Sequence, residues 1–338
     1  MIRIAVDAMG GDHAPPVVVD GAVAASRHGN ATIVLVGAAS DLDRALARYP
    51  DRSSLPIETV DAHEVIVMTE SPAAALRRKP RASIRVGAEL LARHDVEALV
   101  SAGHTGATVM ATHAALGMID GVDRPALAAA IPTRKRPAVL LDAGANAECR
   151  PHHLLQFAVM GSVYARVAWG LERPRVGLLS IGEEASKGND LTREAHRLLT
   201  DAPVNFIGNV EGREIYSGAA DVIVCDGFTG NVVLKTSEGL VETVETLLGD
   251  ELRSGWSSRL GYLLSRRAFQ RFRSRVDYSE YGGATLLGVT GLTIVGHGRS
   301  SAKAIENAIA MAARFAAASF TARVSQEIGS IAVARKPA

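Results

Sequence analysis

Cysteine is nearly absent from this 338-residue chain, occurring only as Cys149 and Cys225. Neither stands in a CxxC or His-rich context, which argues against a disulfide framework and against a zinc site. No metal and no organic cofactor are expected. Aromatic residues make up only 4%, so Ala, Val, Leu and Ile must fill the core. That suits Ala-rich helices covering a parallel sheet. Long apolar runs are missing too, and none reaches the length of a membrane-spanning helix. Residues 1–7 read as a strand without a basic leader or cleavable apolar stretch, so a cytoplasmic protein is expected. Charge is balanced, 37 Lys and Arg against 36 Asp and Glu, which argues against wholesale nucleic-acid binding. Two nucleotide signatures are also missing: the Walker pattern, and GxGxxG with an acidic residue at the expected offset.

What the chain does have is alternation. Short apolar runs occupy residues 2–8, 32–37, 98–102, 138–142, 176–180, 204–208, 222–225 and 292–295. Helical patterns lie between them, for example at 16–28, 84–93, 154–168, 190–199, 230–248 and 302–318. This predicts βαβ units, right-handed crossovers and a mostly parallel sheet covered on both faces. The expected organisation is one α/β catalytic domain over residues 1–325, with a basic helical excursion at 249–280. A flexible tail is expected at 326–338, where little can be buried.

Six predicted strands run out into small polar loops. They carry Asp7, Gly10, Gly11, Asp12 and His13; Ser101, Gly103, His104 and Thr105; Asp142, Gly144 and Asn146. The others carry Gly182, Lys187 and Asn189; Asn209, Gly212 and Arg213; Asp226, Thr229, Gly230 and Asn231. In open α/β sheets, ligands bind beyond the carboxyl ends of the strands. Glycine lets the backbone approach an anion, and a helix N-terminus offers unsatisfied N–H groups. Any one such loop reads as an ordinary turn. Six together, with Asp, Asn, His, Thr or Lys beside nearly every glycine, point to phosphate.

Lys187, Lys235 and Arg213 are cations able to neutralise a dianion. Lys235 lies one turn beyond Asn231, so both can face the crevice. Ser101, Thr105, Asn146, Asn189, Thr229 and Asn231 are neutral donors for phosphate or a carbonyl. Asp7, Asp12, Asp142 and Asp226 can position those donors, cap helices or bind a divalent ion. His13 and His104 are the acid/base candidates, and each reads equally as a hydrogen-bonding loop residue. Cys225 ends an apolar run, where a buried structural thiol is commoner than a nucleophile.

Residues 252–276 break the pattern, with seven arginines and no acidic residue. Leu260, Leu263 and Leu264 share helical spacing, Phe272 extends the apolar side, and Arg259, Arg266, Arg267 and Arg271 flank it. Such a helix favours an anionic surface, either membrane or acidic protein. A solvated face or an arginine-rimmed dimer interface is the plainer reading.

Several motifs together resemble one family. They are DAMGGD (7–12), SAGHTGA (101–107), LDAGAN (141–146), HLLQFAVMGSVYA (153–165), IGEEASKGND (181–190), NVEGR (209–213), DVIVCDGFTGNVVLK (221–235) and YGGATLLG (281–288). Collinear over nearly the whole chain, they resemble the bacterial phosphate acyltransferase (PlsX) family. His104 stands where that family usually has Asn, and Thr285 where it usually has Pro, a change expected to alter a turn. The resemblance implies a three-layer α/β/α Rossmann-like fold similar to isopropylmalate dehydrogenases and phosphotransacetylases. It implies transfer of a long-chain acyl group from acyl carrier protein (ACP) thioester to inorganic phosphate. The product, acyl phosphate, would serve phospholipid synthesis through a downstream membrane glycerol-3-phosphate acyltransferase. It further implies a homodimer and peripheral attachment to the inner face of the cell membrane.

Phosphate is already a competent nucleophile near neutral pH, so positioning and charge neutralisation matter more than a strong base. The expected division places phosphate on Lys187, Asn189 and the Gly10–Gly11 turn, and the thioester carbonyl near Asn231, Thr229 and Lys235. Three other readings stay open: an acyl-CoA phosphotransacetylase, a dehydrogenase of the related fold, and a non-catalytic membrane scaffold.

Overall fold

The computed structural model describes residues 1–253, 255–276 and 281–334, without the side chains of residues 253, 257, 259, 260, 268, 270, 273–276 and 332–334. Five strands form one block of a single 11-stranded sheet: β1 (Ile2–Asp7), β2 (Ala31–Gly37), β3 (Ile57–Asp61), β4 (Ala98–Ser101) and β11 (Leu292–Val295), all parallel. A second parallel block holds β6 (Ala138–Leu141), β7 (Arg175–Ser180), β8 (Asn205–Glu211) and β9 (Val222–Val224). Between the blocks lie β10 (Ala284–Leu287) and β5 (Ala126–Ile131), joined to their neighbours by antiparallel pairings. The strand order is β3-β2-β1-β4-β11-β10-β5-β6-β9-β7-β8.

Those central pairings reverse the sheet. Following them from β11 through β10 and β5 to β6, the second block runs opposite to the first. The six loops expected in one row therefore divide between two edges. The loops after β1 and β4 share the first edge, and those after β6, β7, β8 and β9 share the other.

Most strand pairs are connected through helices, which cover both faces. On one face, α1 (Pro16–Ser26), α2 (Ala39–Leu46), α6 (Pro151–Trp169), α7 (Asp190–Thr200), α10 (Ala302–Ala317) and α11 (Phe320–Ala334) contribute to one large apolar core. Tyr164, Phe157 and Phe315 are its largest fully buried side chains. On the other face lie α3 (Pro72–Arg78), α4 (Ser83–Ala92), α5 (Thr105–Leu116) and α8 (Gly227–Arg253). Antiparallel neighbours need no crossover helix. Accordingly β10 reaches β11, and β5 reaches β6, through short loops at 288–291 and 132–137. Neither loop supplies a helix, so among the described residues no helix covers the second face above β5 and β10, between α5 and α8.

Two expectations change here. Ile328, within the expected tail, is buried in the large core and α11 continues to Ala334, so order extends past residue 325. Thr285, expected in a turn, lies inside β10 opposite Ala128 and Ile294 and is fully buried.

Candidate active site

The uncovered stretch of sheet is a cleft of about 680 Å³. Its floor is built of small or apolar residues from strands and strand ends: Leu127, Ala129, Ala143, Ala145, Ala284 and Val295. Val109 of α5 and Leu234 of α8 form the walls. Polar side chains gather near the first edge: Asp12, Thr105, Lys235, Glu238, His297 and Arg299. The helix after a strand runs back along the sheet, which carries α8 from the second edge, where Asn231 sits, toward the first.

At the first edge the loops are locked by a buried carboxylate. Asp7 accepts a hydrogen bond from the Ser101 hydroxyl at 2.7 Å and from the Met9 amide at 3.2 Å. Burial pushes its pKa up, while donors that include Ser83 and Ser101 oppose the shift. A buried carboxylate costs several kcal/mol unless donors surround it. The glycines have a concrete purpose here: a Cβ on Gly10 would lie 2.7 Å from the Gly103 nitrogen. The Asp12 amide donates to the Gly298 carbonyl at 2.8 Å, which brings the loop after β11 into the same cluster.

A second knot stands at the other edge. Asp142, fully buried, accepts from the amides of Leu127, Gly144, Ala145 and Asn146 and from the Asn146 side chain, at 2.8–3.0 Å. Burial raises its pKa as well. Gly144 has φ +135°, and a Cβ there would lie 2.6 Å from Nδ2 of Asn231. The glycine thus lets the asparagine lie against the loop, 3.4 Å from the Ala143 carbonyl.

Lys235, Asn231 and Thr105 are brought together in the cleft. Asp7 and Ser101 are buried beneath it as scaffold, and Asn146 is spent on Asp142 and on the Pro125 carbonyl at 2.6 Å. Thr229 donates to Asp226 at 2.7 Å, closing the first turn of α8. Asn189 accepts from the Thr192 amide at 2.9 Å as the N-cap of α7. These side chains serve local structure because loop backbones at strand ends must satisfy their own N–H groups first.

The phosphate set expected around Lys187, Asn189 and the Gly10–Gly11 turn is split, since the first two lie on the second edge and the turn lies on the first. Lys187 is exposed on the β7–α7 loop and packs against Gly182. It does not line the cleft, although β7 is the immediate neighbour of β9, whose loop leads to Asn231. His13 is exposed outside the cleft, and His104 occupies the N-cap position of α5 without a side-chain cap bond. Cys225 is buried, and burial holds its thiol well above the ordinary range, so it is no thiolate nucleophile.

Glu238, His297 and Arg299 were missed. Gly296-His297-Gly298 follows β11 just as the other glycine loops follow their strands, so the same criterion would have found it. Lys235 Nζ donates to Glu238 at 2.8 Å and lies 3.4 Å from His297 Nε2. Burial first, then the Lys235 charge, lowers the His297 pKa. Among the described residues, one group could hold a metal: Asp123, in the loop before β5, with His152 and His153 at the start of α6. There His153 Nδ1 already accepts the Arg150 amide, and Asp123 already accepts from Gln156. None of the three lines the cleft.

Beyond the sheet, α8 continues into α9 (Trp256–Val276), and the two helices pack together. Leu263, Leu264, Arg266, Arg267, Arg271 and Phe272 are all exposed on α9. The side chains of Arg259 and Leu260 lie outside the described residues. No helix among the described residues is long and apolar enough to cross a membrane.

Comparison with known proteins agrees with this architecture. A phosphotransacetylase from Streptococcus pyogenes superposes with a TM-score of 0.63, covering 94% of each chain at 17% identity. A 4-hydroxythreonine-4-phosphate dehydrogenase from Klebsiella pneumoniae gives 0.54 at 15% identity, covering 94% of this chain and 100% of its own. Both show a shared fold. Among relatives by sequence, the phosphate acyltransferase of Syntrophotalea carbinolica is 52% identical over 97% of this chain and 94% of its own length. That of Acidobacterium capsulatum is 52% identical over 96% and 95%. The family model described as fatty acid synthesis protein matches residues 2–323. With that span and those identities, the chain belongs to the fatty acid synthesis protein family, alongside the proteins named phosphate acyltransferases.

Proposed function

We propose that this protein transfers a long-chain acyl group from an acyl-ACP thioester to inorganic phosphate. One observation carries the reading: a cleft of about 680 Å³ joins a small-residue apolar floor to a polar rim that holds Lys235 and Arg299 beside Asp12 and Glu238. An acyl chain suits the floor, where burial contributes about 0.8 kcal/mol per CH2. Phosphate suits the rim, near Lys235, Thr105 and the Gly10–Gly11 turn. Asn231, one turn from Lys235, donates to the thioester carbonyl as negative charge develops on its oxygen. Lys187 stands on the loop beside that of Asn231 and supplies an approach-side cation.

The chemistry requires little beyond placement. Holding phosphate and thioester in contact replaces a bimolecular encounter, and Lys235 and Arg299 offset repulsion as the dianion approaches. The apolar floor excludes water that would hydrolyse the product. The α8–α9 hairpin fits the carrier or an anionic membrane surface, since exposed Leu263, Leu264 and Phe272 stand beside Arg266, Arg267 and Arg271. A homodimer and hand-over of acyl phosphate to a membrane glycerol-3-phosphate acyltransferase complete the reading.

The test is direct. Incubation with acyl-ACP and phosphate should yield acyl phosphate and free carrier thiol, and omission of phosphate should stop both. Acyl-CoA run in parallel separates this reading from a CoA-dependent phosphotransacetylase. Absence of acyl phosphate with either donor would overturn it.

A further inference from the structure

Strand register puts a step in the cleft floor. Ala284 of β10 pairs with Ala129 of β5, and both lie on the cleft face, since successive side chains alternate between faces. Two residues on, toward the second edge, Leu286 pairs with Leu127 on the same face, and both are buried. The alanine pair therefore forms a trough, with the leucine pair raised on one side and the polar rim on the other. Across the strands, this trough runs from α8, where Asn231 and Lys235 stand, to Val109 and Met110 of α5. From β6 to β11 it spans three strand spacings, about 14 Å. Met68 joins the α5 end from the loop leading into α3, which packs on α5. Met68 and Met110 are 46% and 41% exposed, and unbranched methionine adapts to a flexible apolar ligand.

We propose that the acyl chain lies across the strands in this trough, and that the Ala129–Ala284 pair determines which chain lengths the enzyme accepts. This rests on the acyl-transfer reading above. The thioester end lies by Asn231 and Lys235, the chain passes over Ala129 first and Ala284 second, and a long chain ends against Val109 and Met110. Each further CH2 over the floor trades water for apolar surface and strengthens binding. A chain laid along the strands would meet the raised leucine pair at one end. At the other it would meet Asp12, Glu238 and Arg299, where apolar atoms would strip water from charges. A side chain longer than alanine at position 129 or 284 projects into the trough and stops the chain at that strand.

The experiment compares Ala129→Leu and Ala284→Leu in the full chain, with melting temperatures to verify folding. The donors are acetyl, hexanoyl and hexadecanoyl thioesters of the same ACP at saturating phosphate. In both variants the hexadecanoyl-to-acetyl ratio of kcat/KM should fall by about 100-fold, a discrimination that apolar pockets reach with a methylene or more. Hexanoyl is long enough to pass over β5 and too short to cross β10. The hexanoyl-to-acetyl ratio should therefore fall in Ala129→Leu and hold in Ala284→Leu. Should a Leu variant not fold, Ala129→Val or Ala284→Val carries the same comparison with a loss of about tenfold, valine being well suited to a strand. Unchanged ratios in the folded variants would overturn the proposal. So would loss of hexanoyl turnover in Ala284→Leu alone, which would reverse the path. If the unaltered protein forms acyl phosphate from no donor, the acyl-transfer reading itself fails, and if acetyl alone reacts, its long-chain part fails. If hexadecanoyl reacts and the ratios hold in the variants, only the path over the alanine pair falls.

Discussion

The two stretches of α8 differ in what lies beneath them. Residues 227–238 run over the sheet, with Val233 and Leu234 packed against its apolar clusters and Asn231, Lys235 and Glu238 turned into the cleft. Along residues 239–253 the same helix exposes Leu240, Val244 and Leu247, at 62%, 44% and 62%, and its neighbour α9 exposes Leu264 at 80%. Positions 240, 244 and 247 form one helical stripe, as amphipathic a pattern as the first stretch has. Periodicity thus marks an apolar face in both stretches, yet only one has a sheet to cover it. The first stretch builds a site, and the second presents a surface to whatever the protein meets.

The largest expected effect breaks the first stretch. Lys235→Ala should lower acyl phosphate formation by about 100-fold with little change in melting temperature, since its ion pair is half-exposed. Lys187→Ala, on the β7–α7 loop, should cost only about tenfold, mainly in KM for phosphate, as a screened approach-side charge would. Equal losses in the two variants would place Lys187 in contact with phosphate and erase the distinction drawn between them.

The second stretch is tested through its neighbour. Reversing Arg266, Arg267 and Arg271 to Glu should weaken sedimentation with anionic liposomes by more than about tenfold, given roughly 1 kcal/mol per basic residue at such a surface. Turnover of a short, soluble acyl thioester should be retained. Unchanged sedimentation would remove the membrane from the account of the hairpin.

The smallest effect is in pH. His297 titrates below its ordinary value of 6.5, so the folded state holds this proton less tightly than the unfolded chain. Its contribution to stability is present above pH 6.5 and is lost as pH falls through the lowered pKa. Between pH 7 and 5 the melting temperature of wild type should therefore fall slightly more than that of His297→Gln. Identical pH dependence would show that the ring is not held neutral.

Strand-forming residues made eight of the strands legible, because Val and Ile runs bounded by glycine signal buried strands. Three were not: the edge strand β3, and β5 and β10, which supply much of the cleft floor. β5 reads Ala-Leu-Ala-Ala-Ala-Ile, and alanine has little strand propensity. β10 lies within a glycine-flanked motif and is only four residues long. Helix α5 was hidden as well, its alanines and threonines giving no apolar period. The small side chains that conceal these elements are the ones that leave room for a ligand.

By itself the sequence determined the α/β class, the polar strand-end loops, the arginine-rich amphipathic segment and, through its motifs, the family. These are local properties, set by side-chain period, glycine conformational freedom and charge. Tertiary structure alone decided which loops meet. Three antiparallel pairings turn half the sheet around, divide the row of loops between two edges and leave the face between α5 and α8 without a crossover helix. Strand direction depends on pairings between residues far apart in the chain, and no local pattern encodes it.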